Sequence, residues 1–570
     1  MDQMKIDRVI KSFESGIISR RQVMGLAIKV PAVAAALAAA GHLQSTAASG
    51  VPFGGASIAR NQDAPQGGEL VYAMERIVSD TLNQHRSNDT VSRVIAHNVL
   101  DNLVAVNPAD GTVNPWLAES WTVSDDGKTY TFTLRQDVLF HDGTPFNAAA
   151  VKRNFDETMD PAQKPGFAFT AMGGSAYSST DVVDEHTVSV TFKQPFAAFL
   201  LYLSDGGLGI DSPAAMDAAG ENYGLTSLVG SGPYKFVEYV PTDHVTIEKN
   251  PDYAWPAAVF GVTGPTPLDK VTFREVPESS VRAQAAVQGE VPLARIVEPN
   301  VPEVQGQTGI TIKATPKAGS TRMFVMNLVN GPTADINVRK AVNMAIDKEA
   351  MLQLPGWAGF GRPGIAPMPS NMVPNGDLSS LVQYDIPYDV DGANKLLDDS
   401  GWIKNGDLRE KDGVQLILDM AVTQIDVDNG QIEPIDGFLR EIGAQLNIKA
   451  GDFNYWIDAY QKGEYHMSLM SDSGYIAVGI IQEFFEEGQP FAVYGIADAD
   501  LNAAITAAIE APTLDDQWKS LFDAMGLAMQ EVVGVMAWEQ DYLDAMSDKV
   551  QNLLYSEIGF PYFYGAALSQ

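Results

Sequence analysis

The residues best able to do metal or proton chemistry in this chain are seven histidines, at positions 42, 85, 97, 141, 186, 244 and 466. No two lie three or four residues apart, so no helical metal pair can form between sequence neighbours. His85 and His97 are near enough in sequence to converge in space, but a surface position is the simpler expectation. The chain contains no cysteine. This excludes disulfides, thiolate metal sites, a thiol nucleophile and a lipid-bearing N-terminal cysteine. Asp126-Gly127-Lys128-Thr129 has the tail of a phosphate-binding loop, but Thr122 stands where that loop needs glycine. No G-x-G-x-x-G opens a helix after a strand, and there is no G-x-S-x-G elbow. Carboxylates are so frequent that an adjacent pair such as Glu486 and Glu487 defines no general acid and base. An enzyme is disfavoured by the absence of these signals, and no catalytic residue, metal or cofactor is expected.

The charge balance narrows the partners. Acidic residues number 72 against 38 basic ones, a net charge of −34. A polyanion of this size is repelled by nucleic acid and by anionic lipid surfaces. Hydrophobic residues make up 45% of the 570 and charged residues 19%, enough apolar mass for large cores. At roughly 150 residues per domain, the length allows two to four structural units.

Residues 1–48 read as an export signal. Lys5, Arg8 and Lys11 precede Ser19-Arg20-Arg21-Gln22-Val23-Met24, and an alanine-rich apolar run follows at 30–40. Eleven such residues cannot span about 30 Å of hydrocarbon. Paired arginines before a weakly apolar stretch resemble a twin-arginine signal. Val23-Met24 replaces the usual Phe-Leu, and Lys29 interrupts the run. Thr46-Ala47-Ala48 supplies small residues for cleavage, and Gly, Ala, Ser and Pro at 49–66 suit a flexible linker. No other segment is apolar enough to cross a membrane, so a soluble, periplasmic, unanchored product is expected.

The remainder alternates strand and helix patterns. Tyr130, Phe132 and Leu134 share one face of a period-two strand, as do Val188, Val190 and Phe192. After Asp335, a candidate N-cap, Val338, Ala341, Val342, Ala345 and Ile346 form a helical stripe. "HDGTPF" (141–146), "GSGPY" (230–234) and "GRPGIAPMP" (361–369) mark turns. In the first, Asp142 caps, Gly143 supplies a positive φ and Pro145 presets φ; Gly230, Gly232 and Pro233 are expected to do similar work.

Several blocks carry a resemblance over about residues 67–566. "LNQHRSNDTVSRVIAHNVLDNLVAVNPADG" (82–111) looks like a family's opening, where a strand end meets a helix. "LAESWTVSDDGKTYTFTLRQDVLFHDGTPFNAAAVKRNFD" (117–156) is the most specific block. "VGSGPYKFVEYVPTDHVTIEKNPDY" (229–253), "MNLVNGPTADINVRKAVNMAIDKEAML" (326–352) and "YDVDGANKLLDDSGW" (388–402) follow in order. In these blocks the chain resembles the family 5 extracellular solute-binding proteins, the receptors of dipeptide, oligopeptide and nickel ABC importers.

The resemblance implies an α/β, bilobal fold of the periplasmic-binding-protein kind, with an extra subdomain in lobe I. Lobe I would hold residues 67–296 and 541–570, with the inserted subdomain at about 112–225, and lobe II 297–540. The chain would pass between lobes near 291–300 and 535–542. A small peptide-like or other polar solute would sit in the cleft, closure would trap it, and the closed monomer would dock on permease subunits. By position, Val78 and Ser79 line the cleft from lobe I, and Arg153 could hold a carboxylate. Lobe II would add Phe453, Asp472, Ser473 and Tyr475; Trp357 and Trp456 could stack on a ring, although core packing suits both. Peptide receptors of the family carry Gly-Trp, then an ammonium-binding aspartate, then an Asp-Pro run. Here Ser471-Asp472 replaces Gly-Trp, Tyr475 falls near the aspartate position, and Ile476-Ala477-Val478-Gly479 replaces the acidic run. The ammonium anchor is therefore missing or moved back to Asp472. Loss of such a charge-assisted bond is worth roughly 1.5–3 kcal/mol. An oligosaccharide, an opine or another metabolite remains the alternative cargo, and a hydrolase on the same scaffold is the less favoured role.

Overall fold

The computed structural model describes residues 64–570 except 79–80, 88, 108–110, 161, 163–166, 355–358, 473, 475, 557–558 and 570. The expected export segment and nearly all of the linker lie outside the described residues, as do Ser79, Trp357, Ser473 and Tyr475.

A seven-stranded mixed sheet organises the first half. Its strand order is Ile310–Pro316, Asp541–Ser547, Leu293–Ile296, Glu69–Met74, Lys270–Glu275, His244–Lys249 and Tyr234–Val240. Glu69–Met74 runs parallel to both of its neighbours. Its side chains divide by parity: Leu70, Tyr72 and Met74 enter one apolar cluster, Val71 and Ala73 another. Both faces are covered, which is why this strand is apolar almost throughout.

The sheet also buries charge. Arg295 and Asp544 face each other across Leu293–Ile296 and Asp541–Ser547. Arg295 Nε donates to Asp544 Oδ1 at 2.8 Å, and Tyr72 Oη donates to the same oxygen at 2.9 Å. The guanidinium lies over the rings of Tyr542 and Phe560, 4.4 and 4.6 Å from their centroids.

A six-stranded sheet organises the second half, in the order Arg362–Pro363, Gly534–Glu539, Arg322–Met326, Met467–Met470, Ile417–Thr423 and Gln445–Gly451. Arg322–Met326 alternates between cores in the same way. Met323 and Val325 join one cluster, Phe324 and Met326 the other. Helix Ile336–Ala345 lies on the latter through Val338, Ala341, Val342 and Ala345, and Asp335 caps it by accepting from Asn337 N. A four-stranded sheet of Ala118–Val123, Thr129–Leu134, Thr187–Phe192 and Tyr177–Asp184 forms an inserted unit.

Two details differ from the sequence reading. The expected passage at 291–300 contributes Leu293–Ile296 to the large sheet, and Ile310–Pro316 joins that sheet as well. The chain reaches the second sheet only through 317–321, between Pro316 and Arg322. The other passage is Gln540 alone, between Glu539 and Asp541. Gly143 does take φ 84°, but Gly230 and Gly232 are not in the left-handed region. Their requirement is space: a Cβ on either would lie 2.4 or 2.6 Å from the Val99 carbonyl oxygen.

Breaking the Arg295–Asp544 pair leaves an uncompensated buried charge. Asp544→Ala should therefore lower unfolding free energy by about 3–5 kcal/mol in chemical denaturation. The double variant Arg295→Leu with Asp544→Leu should lose less than that single variant.

Candidate functional site

The two passages are tied to each other. Lys317 N donates to Gln540 O at 2.9 Å, so the chain's two routes between sheets run side by side. Pro316 ends its strand, and the Ala318-Gly319-Ser320 that follows Lys317 lets the backbone turn. On the second sheet a β-bulge between Arg322 and Met323 breaks the register with Gly534–Glu539. Bulges re-aim side chains. Arg322 Nη1 donates to Ser471 Oγ at 2.9 Å, and Nη2 to Asp426 Oδ1 and Gln431 Oε1 at 2.5 and 2.6 Å. Asp426 is itself held in a capping exchange with Thr423.

Asp472 enters from the loop after strand Met467–Met470. Its backbone N–H donates to Ser320 Oγ at 2.8 Å, and its carbonyl accepts from Ser320 N at 3.2 Å. The carboxylate accepts from Gly474 N. This stitches the 471–474 loop onto the first passage.

Lys317 completes the cluster. Its amine lies 3.4 Å from Gln540 Oε1 and 5.8 Å from the Tyr542 ring centroid. Glu298 lies below, accepting from Gln540 Nε2 at 3.4 Å. Burial, then repulsion by Arg322, pull the amine down to about 8 against the attraction of Asp472, Glu298 and Asp426. Burial also raises the Glu298 carboxyl.

Helix Ala477–Phe485 carries a further acid. Glu483 is partly buried and has no hydrogen bond among the described residues. Burial, then the charge of Asp472, push its carboxyl up to about 7. Gly479, one turn earlier on the same face, lies against Tyr202 of the inserted unit, where a Cβ would sit 3.5 Å from the hydroxyl. Beyond Tyr202 lies Phe167, whose ring Arg93 covers at 3.7 Å while pairing with Asp205 at 3.1 Å. The cluster thus gathers cations and acids from both halves, an arrangement suited to holding a polar solute.

The structure distributes the other expected contact residues unevenly. Val78 is half-buried against the core of the large sheet. Arg153 pairs with Glu157 at 2.6 Å and with Asp217 at 3.1 Å. Phe453 opens helix Phe453–Lys462, is 60% exposed and stacks on Trp456 at 5.6 Å. Trp456 is core and donates Nε1 to Ser468 Oγ at 3.0 Å. His85 binds Asn154 and Thr158 and lies 3.0 Å from Asp211, whereas His97 packs on Trp116 and Tyr562. No group of metal-binding side chains occurs among the described residues. Sequence reading missed Lys317, Ser320, Arg322, Glu483 and Gln540. The run Pro316-Lys317-Ala318-Gly319-Ser320 between two apolar strands was the available signal for the first three.

The description of the bacterial extracellular solute-binding proteins, family 5 (middle region), matches residues 112–478. The chain belongs to this family. It is similar to the glutathione-binding protein GsiB of Escherichia coli K12, with 33% identity over 326 residues, 56% of this chain and 59% of GsiB. The alignment therefore spans under two thirds of that relative's length. Among solved structures, NikA from Brucella suis in complex with Fe(III)-EDTA superposes with a TM-score of 0.78 at 24% identity, covering 88% of this chain and all of NikA. DppA from Helicobacter pylori in complex with the peptide STSA gives 0.70 at 22%, covering 89% and 99%. The fold is the bilobal α/β fold of these binding proteins.

A carboxyl raised by burial favours the folded state while protonated and loses that advantage as pH climbs from its unfolded value toward 7. Glu483→Gln should therefore melt at a higher temperature than the parent at pH 8. At pH 4 the two should coincide in differential scanning fluorimetry.

Proposed function

We propose that this protein is the extracytoplasmic substrate-binding component of an ABC importer, and that it captures a peptide or peptide-like polar solute between its lobes. The observation that carries the reading is the pair of side-by-side passages at 317–321 and 540, which joins the two large sheets and gathers Lys317, Arg322, Asp472 and Glu483 at the junction. Two short connections form a hinge, and a solute touching both lobes favours the closed arrangement by its differential contacts. Lobe I takes in residues 67–316 and 541–569, and lobe II 322–539. The names of the relatives support small polar cargo of this kind: one is named for glutathione, and another is bound to a peptide.

Delivery would follow docking of the closed monomer on permease subunits, with no bond made or broken. Arg20-Arg21, the alanine-rich run and Thr46-Ala47-Ala48 support export to the periplasm. No described helix is long and apolar enough to cross a membrane.

Tetrapeptides and glutathione should raise the unfolding temperature. A cargo present at a hundred times its Kd adds about 2.7 kcal/mol to stability. Titration calorimetry should give micromolar affinity or better, with the cargo recovered chemically unchanged and a smaller radius of gyration in solution scattering. A flat melting temperature across peptides, opines and oligosaccharides would refute the receptor role.

A further inference from the structure

We propose that Lys317 is the anion seat of the cleft, receiving a carboxylate or other acidic group of the transported solute, so that the cargo is an acid-headed molecule. This rests on the receptor reading and narrows its cargo.

The first support is how the chain treats its other enclosed cations. Arg93 holds Asp205, Arg295 holds Asp544, Lys348 holds Asp385 and Arg409 holds Asp398, all within 3.1 Å. Arg282 and Arg339 instead donate to backbone carbonyls. Lys317 has no carboxylate within 4 Å among the described residues, only the long contact to the neutral Gln540 side chain. It keeps part of its surface open to solvent while groups from several segments surround it. A strongly hydrated ammonium in such a crevice is short of partners.

The second support is the charge that faces it from each surrounding segment. Arg322 adds positive potential, and its own Nη donors are already given to Ser471, Asp426 and Gln431. Glu298, from the segment after Leu293–Ile296, is pushed toward its neutral form by burial. Asp472 spends one carboxylate oxygen on Gly474 N. Asp426 is bound to Arg322 and Thr423. Tyr542 presents a ring, and Asn371 donates to the Lys317 carbonyl at 3.4 Å. Burial first and Arg322 second hold the amine down to about 8, and the more distant acids do not offset them.

The third support is that some of the protein's unpartnered buried polar atoms flank the same passages. Thr315 Oγ1, Thr321 Oγ1, Arg322 Nε, Asn371 Oδ1 and Asp541 Oδ1 all lack a hydrogen-bond partner among the described residues. Two hydroxyls and a guanidinium N–H are donors that an acidic oxygen satisfies, and buried groups left unpaired are costly. An acid seated here touches the hinge itself, so the bond would report directly on closure.

The test uses the full protein with an equimolar tripeptide mixture as free acids, the same mixture as C-terminal amides, and a bacterial small-molecule extract before and after its acids are converted to methylamides. Retained species are read by native mass spectrometry and competition titration. The parent should hold free acids at least tenfold more tightly than the blocked forms. Lys317→Met should erase that preference with a melting temperature no lower than the parent's, and Lys317→Arg should restore it. Equal retention of acids and blocked forms by the parent, or equal loss of both in Lys317→Met, overturns the anion seat while the receptor reading survives. If the parent retains nothing from any arm, the receptor reading fails and the anion seat falls with it.

Discussion

The structure depends on one constraint: two large sheets are joined by two short passages that are hydrogen bonded to each other, Lys317 N to Gln540 O. Each sheet carries apolar side chains on both faces, and one face of the second sheet shares its cluster with the inserted unit through Met323, Val325, Phe199 and Tyr202. The passages are the two backbone connections between the large sheets, and the bond between them holds them side by side. Side chains near such a junction sense both halves at once. That is where an interaction can favour one arrangement of the lobes over another.

Polar groups are used differently within the lobes and at the junction. Inside lobe I, Asp101 is buried and accepts from Ser231, Tyr253 and Trp255, and burial still raises its carboxyl to about 7. Arg295, Asp544 and Tyr72 satisfy one another in the same way. These networks fix register and packing, because every member is matched. At the junction Lys317 has no such match, Glu483 bonds to nothing described, and several hydroxyl and amide atoms are unpartnered. Unmatched polarity beside an unpaired ammonium is a place where another molecule can supply the complement.

Much of the fold was legible because it rests on local rules. The alternation in Thr129–Leu134 and Thr187–Phe192, the Asp335 cap and the Asp142-Gly143 turn each follow from neighbouring residues, and the structure shows all of them. The Gly230 and Gly232 reading illustrates the limit of such rules. Glycine was required there, but for closeness to Val99, a contact across more than a hundred residues, and not for its own dihedral angles. The passage near 291–300 illustrates the same limit. A strand looks alike whichever sheet it joins, so sequence could not show that Leu293–Ile296 and Ile310–Pro316 both stay in the large sheet. Arg153 had the right chemistry for an acid, yet its partners Glu157 and Asp217 come from its own helix and from a segment 64 residues away.

By itself the sequence determined the family, the alternating α/β character and the absence of thiol chemistry, since each is written in residue type and short-range spacing. Tertiary structure alone decided which charges meet. Lys317, Arg322, Asp472 and Gln540 come from segments up to 223 residues apart and are assembled only when the two sheets take their final strand order. Electrostatic interaction depends on distance and local dielectric, and neither is encoded at any single position along the chain.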